Sequence, residues 1–217
     1  MGEILVTMVG GMLLALLFNR MTRSFGLMRA FVFVPKYVAM SSAAVVFLWI
    51  LNTDSGVLNY LLQCIGLPAV DWLNQQSTAL PSVLMLTGWR VIGYGMMIYL
   101  SAMMGISQEY YEAASLDGAN GVQKFFRITL PLLSPTTLFL LVTTFLSSMK
   151  VFQSVDILTS GGPARSTEVF FYLIYRYAMV DFRMDRAATA AVMFFLILLV
   201  ITVLTMKVSD RSVTYDS

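Results

Sequence analysis

The chain has 217 residues, of which 58% are hydrophobic and only 12% charged, and its formal net charge is +2. Soluble domains carry about 25% charged residues, so this composition excludes an ordinary soluble protein and predicts that lipid is the natural solvent. The small net charge gives no reason to expect a nucleic-acid partner. One cysteine and no histidine exclude an internal disulfide and remove the commonest transition-metal ligand, so we expect neither a metal site nor a cofactor.

Five apolar segments follow one another along the chain. They cover residues 4–18, 30–53, 79–104, 128–149 and 187–206. A bilayer span takes about 20 apolar residues, so the first segment is short and the other four are long enough. No basic region precedes the first segment and no small-residue cleavage site follows it, which excludes a signal peptide. We therefore predict one domain over residues 1–217, an all-α membrane helical bundle with about five transmembrane helices.

The charges of the loops indicate which side of the membrane each loop faces. The loop between the first two segments carries three arginines and no acidic residue, which is typical of the cytoplasmic side. Residues 52–78 carry two aspartates and no basic residue, which indicates the outer side. Residues 151–186 are predicted outside although they carry four arginines, so the orientation depends mainly on the loop at residues 105–131.

A few polar side chains interrupt the apolar segments. We expect Lys36, near the start of the second segment, to extend its ammonium group to the cytoplasmic interface. Arg90 lies within the third segment, among three glycines that let helices approach closely; it lines a translocation path, reaches the outer surface or forms a structural ion pair. Lys150, at the end of the fourth segment, either reaches the outer interface or lines the mouth of a path. Arg90, Tyr94 and Lys150 are the candidate path residues.

The loop at residues 105–131 is polar although its surroundings are apolar. Ser107 is typical of a residue that caps a helix start, and Gly118 of one that ends a helix in the left-handed conformation. The intervening residues favour a helix from Gln108 to about Leu116. Because so short a helix is marginal alone in water, we expect it to dock on another surface.

The residues of this loop resemble the signature loop of binding-protein-dependent ABC importer permeases. Gln108 replaces the usual proline at the helix start. Asp117 and Ala119 also match the longer pattern of the carbohydrate-uptake branch. The pattern Glu-Ala-Ala, three residues, Gly, about nine residues and Ile-x-Leu-Pro occurs here as Glu112-Ala113-Ala114, Gly118, Ile128 and Leu130-Pro131.

In that family the loop is a coupling helix that contacts a cytoplasmic ATPase subunit. The resemblance therefore implies a coupling role for six residues. The alternative is an amphipathic cytoplasmic loop without a partner. The six residues are Glu112, Ala113, Ala114, Asp117, Gly118 and Ala119.

A second, independent pattern lies in the predicted outer region. It resembles the sugar-permease sequence Lys-Val-Phe-Asp, Thr-x-Gly-Gly-Pro and Ser-Thr, with Gln153 in the place of the aspartate. The matching residues are Lys150-Val151-Phe152, Thr159, Gly161-Gly162-Pro163 and Ser166-Thr167.

The resemblance implies a permease subunit of an ATP-driven importer in a bacterial or archaeal plasma membrane. Its expected partners are cytoplasmic ATP-binding subunits, a second permease subunit, an extracytoplasmic solute-binding protein and the lipid bilayer. The sequence contains no Gly-x-x-x-x-Gly-Lys-Ser/Thr motif, so we expect no ATP hydrolysis by this chain and no enzyme activity. Since the carbohydrate branch has at least six spans, the resemblance also implies that one amino-terminal helix and its outer loop are missing and that Met1 is an internal or misassigned start.

The expected solute is a sugar or a related compound. A neutral carbohydrate would use hydrogen-bonding and aromatic side chains, although packing or a place at the membrane interface is the stronger interpretation for each candidate. Arg90 and Lys150 would instead favour an anion such as glycerol 3-phosphate, and we rank the neutral solute first. A glycerophosphodiester importer and a structural membrane subunit without transport activity are further alternatives. The candidates for a neutral solute are Asn59, Trp89, Tyr94 and Tyr99.

Overall fold

A computed structural model describes residues 2–19 and 23–212, and these residues form helices and connecting loops without a strand. The predicted all-α fold is confirmed. The helices are Gly2–Leu17 (α1), Arg23–Phe33 (α2), Met40–Ile50 (α3), Val57–Cys64 (α4), Gln76–Met104 (α5), Gln108–Leu116 (α6), Gly121–Leu132 (α7), Ser134–Met149 (α8), Gln153–Thr159 (α9), Phe170–Val180 (α10) and Met184–Ser212 (α11).

All five predicted spans coincide with helices, but only two are single helices of sufficient length. Among the described residues, α5 and the Met184–Leu204 part of α11 are each long and apolar enough to cross a membrane. The second and fourth predicted spans are bent pairs: α2 meets α3 at 103°, and α7 meets α8 at 61°. Helix α1 is apolar but shorter. The second and fourth spans are therefore not the continuous helices that we predicted.

Proline explains the position of both bends. Pro35 lies in the 3-10 turn Val34–Tyr37 that follows α2, and the chain is extended at Val38 before α3 begins. Pro135 is the second residue of α8. Because proline lacks an amide hydrogen and its ring clashes with the preceding turn, it begins helices well and interrupts them elsewhere.

Helix α5 is the centre of the bundle because two buried clusters share it. One cluster joins α5 to α3 and α9 and includes Ala44, Leu86 and Val155. The other joins α5 to α1 and α8 and includes Met96 and Leu140. Residues of α5 therefore hold both halves of the bundle together.

Glycines bring the backbones of α1 and α5 into direct contact. A Cβ atom at Gly11 would lie 2.8 Å from the carbonyl carbon of Gly95, and one at Gly95 would clash with the Thr7 carbonyl oxygen. The expectation that glycines of the third segment allow close approach is confirmed. Small residues at such crossings allow more van der Waals contact between helices.

Asn59 fixes the predicted outer loop. Its amide nitrogen donates to the carbonyls of Thr53 and Val70 at 2.9 and 2.8 Å. Its amide oxygen accepts from the Val70 amide at 3.1 Å and from the Trp72 indole at 2.9 Å. These four bonds use the full capacity of an asparagine side chain, so Asn59 has none left for a solute.

The α1–α5 contact predicts the effect of adding a methyl group. Gly95→Ala should lower the free energy of unfolding by about 1–3 kcal/mol because the helices must separate to accommodate it. Thermal unfolding of the purified protein in detergent measures this. Gly26→Ala is the control, since a Cβ there meets nothing within 4 Å. Equal stability of the two variants would contradict the prediction.

Candidate functional site

Local capping signals position helix α6. The Ser107 hydroxyl accepts a hydrogen bond from the Glu109 amide at 3.3 Å, which satisfies one free donor of the helix start. Glu109 itself lies in the first turn, where a carboxylate favours the positive end of the helix dipole. The helix runs from Gln108 to Leu116, so both predicted ends are confirmed.

The end of α6 explains the spacing of the predicted coupling residues. Gly118 has a φ of +76°, in the left-handed region that favours glycine. The Ala119 amide donates to the Ala114 carbonyl at 2.9 Å, and the Gly118 amide donates to the Ser115 carbonyl at 3.1 Å. These paired bonds form a Schellman motif, which requires the glycine and the residue after it at fixed distances from the helix end.

Helix α6 projects from the rest of the chain. None of its residues is buried, and Leu116 is 90% exposed. Four of the six predicted coupling residues are exposed as well, namely Glu112, Ala113, Asp117 and Gly118. Helix α6 therefore presents an apolar side chain next to polar groups at its end.

Two side-chain hydrogen bonds connect α6 to α7. The Tyr111 and Thr129 hydroxyl oxygens lie 2.9 Å apart, and Thr129 is only 6% exposed. The Lys124 ammonium group donates to the Ser115 hydroxyl. Helix α7 continues through the 61° bend into α8, so these two bonds join α6 to the helix pair α7–α8.

Arg90 holds the break between α2 and α3. One terminal nitrogen of its guanidinium donates to the carbonyls of Lys36 and Val38 at 3.1 and 2.8 Å, and the other lies 3.4 Å from the Met40 sulfur. Arg90 is the fifteenth of the 29 residues of α5, so the break lies opposite the middle of that helix. Lys36 therefore lies beside the middle of α5, while its position at the cytoplasmic interface stays a prediction.

A cavity of about 400 Å³ brings two of the three candidate path residues together. Arg90 and Lys150 both line it, although 60 positions separate them in the sequence. Glu3 and Lys36 also line it, and sequence analysis missed both for this role. An acidic residue directly before an apolar segment was the signal that could have identified Glu3.

Tyr94, the third candidate, lines an adjoining cavity of about 250 Å³ that also contains Glu3 and Lys36. The Lys36 nitrogen lies 4.8 Å from the centroid of the Tyr94 ring, which is a cation–π distance. Tyr99, by contrast, is fully buried and donates to the Thr137 hydroxyl at 3.3 Å. Tyr99 therefore serves packing.

The second sequence pattern forms an ordered loop. The Thr159 and Thr167 hydroxyl oxygens lie 2.7 Å apart, and Thr167 donates to the Gly162 carbonyl at 2.9 Å. Gly161 has a φ of +78°, and a Cβ there would clash with the Tyr172 ring. The threonines and glycines of this pattern thus determine the loop conformation.

Comparison with known families identifies one family model, described as "Binding-protein-dependent transport system inner membrane component", which matches residues 7–215. A "Probable ABC transporter permease protein YurN" of Bacillus subtilis is 35% identical over 209 residues, which cover 94% of this chain and 72% of that protein. The "sn-glycerol-3-phosphate transport system permease protein UgpA" of Agrobacterium fabrum is 32% identical, with 97% of this chain and 72% of that protein covered.

Solved structures give the same result. A bacterial ABC transporter that imports the acidic polysaccharide alginate superposes with a TM-score of 0.85 at 27% identity, covering 97% of this chain and 77% of that one. A bacterial alginate ABC transporter in complex with an alginate pentasaccharide-bound periplasmic protein superposes with a TM-score of 0.84 at 29% identity, covering 93% and 71%.

The geometry of Gly118 predicts how α6 responds to substitution. Gly118→Ala should weaken the helix end by about 1–2 kcal/mol, because a Cβ is strained in the left-handed region. Gly118→Asn should be milder, since asparagine adopts this conformation more readily. Amide hydrogen exchange over residues 108–119 measures the difference. No neighbouring atom lies within 4 Å of a Cβ at this position, so backbone strain and not a steric clash separates the variants. Identical exchange in both variants and the wild type would contradict the prediction.

Proposed function

This chain belongs to the family of binding-protein-dependent transport system inner membrane components, the permeases of ABC importers, and we propose that α6 is the helix through which a separate ATPase subunit drives it. The exposure of α6 supports this role most directly. A short helix with no buried residue and a 90% exposed leucine gains stability when a partner covers it. The six predicted coupling residues lie on α6 or directly after it.

The proposed mechanism begins with movement of α6 in a groove of the ATPase subunit. The Tyr111–Thr129 and Lys124–Ser115 hydrogen bonds pass this movement to α7 and α8. Helix α8 ends at Met149, and the next residue, Lys150, lines the charged cavity, which is the cavity of about 400 Å³ that Arg90 also lines. Movement of α8 therefore opens or closes that cavity. Access to the site beside the α2–α3 break then alternates between the two sides of the membrane.

The proposed solute is a sugar or a sugar derivative. Relatives named for sn-glycerol 3-phosphate and structural neighbours that import alginate support this class of compound. The neighbour in complex with a periplasmic binding protein supports delivery by an extracytoplasmic partner. A second permease subunit completes the path, and the assembly resides in the inner membrane.

Co-purification tests the coupling role. A tagged wild-type chain should recover an ATPase subunit from detergent-solubilised membranes. Leu116→Asp should lower that recovery at least about tenfold, because a buried interface loses an apolar contact and gains an unpaired charge. Glu112→Lys should act in the same direction.

Tyr60→Asp is the matched control, since Tyr60 is another exposed apolar residue, 66% accessible, but lies on α4. It should leave recovery unchanged. Wild-type protein that recovers no ATPase subunit, or α6 variants that recover as much as the wild type, would refute the proposed role of α6.

A further inference from the structure

Three cationic side chains line the larger cavity, between α1, the α2–α3 break, α5 and the end of α8. Its charged lining residues in the described part of the chain are Glu3, Lys36, Arg90 and Lys150. Three positive charges therefore face one negative charge. Charge that is not compensated is expensive in an apolar membrane domain and usually marks a functional site.

The three cations differ in what they already bind. Arg90 is held by the carbonyls of Lys36 and Val38, although its buried Nε has no hydrogen-bond partner. Lys36 and Lys150 make no ion pair with any side chain that the structure describes. Only the Tyr94 ring lies under the Lys36 ammonium group. The two lysines are therefore the groups available to a ligand.

Two neighbouring features fit a polyhydroxyl compound that carries an anionic group. Helix α3 begins at Met40, which lines the larger cavity, and no side chain caps that helix start. Its positive dipole end therefore adds to the potential of the lysines. The smaller cavity shares Glu3, Lys36 and Ser147 with the larger one and adds the hydroxyl groups of Thr7, Tyr94, Thr143 and Thr144.

We infer that the solute of this permease carries a phosphate monoester or a carboxylate, which Lys36 and Lys150 bind while the smaller cavity receives its hydroxyl groups. This inference rests on the proposed importer function. It reverses the order that the sequence favours, in which a neutral carbohydrate comes first. A neutral sugar would leave Glu3 as the one acidic group facing three cations among the described lining residues, whereas an anionic oxygen forms charge-assisted hydrogen bonds with the lysines.

Uptake into proteoliposomes tests the inference. The importer is assembled from this chain, its ATPase subunits, its second permease subunit and its binding protein. The radiolabelled probes are sn-glycerol 3-phosphate, an alginate oligosaccharide and maltose, which carry a phosphate, carboxylates and no charge, respectively. We expect ATP-dependent uptake of an anionic probe and not of maltose.

Substitutions at Lys150 test the charge itself. Lys150→Gln should lower uptake of the anionic probe at least about tenfold, because a charge-assisted hydrogen bond is lost. Lys150→Arg should retain most of the uptake. Lys207→Gln is the matched control, since Lys207 is an exposed lysine of α11 that lines neither cavity.

The outcomes separate this inference from the importer function. Maltose uptake that Lys150→Gln leaves unchanged overturns the inference and supports the importer function. An importer that binds its ATPase subunit but carries neither anionic probe also overturns the inference alone. A chain without ATPase association and without uptake of any probe overturns the proposed function, and the inference with it.

Discussion

Arg90 donates hydrogen bonds to two backbone carbonyl groups at the break between α2 and α3, and the arrangement of the bundle depends on this contact. A backbone break among membrane helices leaves polar groups that lipid cannot satisfy, so it persists only where protein atoms do so. With the carbonyls of Lys36 and Val38 satisfied, the chain can turn through 103° opposite the middle of α5. The turn directs Lys36 into the cavity that Arg90 also lines.

Helix α5 provides the rigid support for this contact. It belongs to both buried clusters and meets the backbone of α1 at Gly95. Helix α6, which begins four residues after α5 ends, has no buried residue. The molecule thus combines a tightly packed centre with a projecting helix, which suits the transfer of movement from a partner without disruption of the core.

One continuous part of the chain connects α6 with the cavity that Arg90 and Lys150 line. Lys124 of α7 contacts Ser115 of α6, and Lys150, directly after α8, lines the charged cavity. The bend between α7 and α8 lies between these two points. In the proposed importer, this segment carries the movement of α6 to the cavity, while α5 and Arg90 hold the opposite wall in place.

The sequence by itself determined α6 and the apolar segments, because both depend on local properties. Ser107 and Gly118 bond within a few residues of themselves, so their types and spacing predicted the helix ends. Only the tertiary structure decided the sharp bends, the environment of Lys36 and the composition of the cavity. These depend on contacts over long separations, such as 54 positions between Lys36 and Arg90. Hydrophobic periodicity does not record such pairings, because it reports only which residues avoid water.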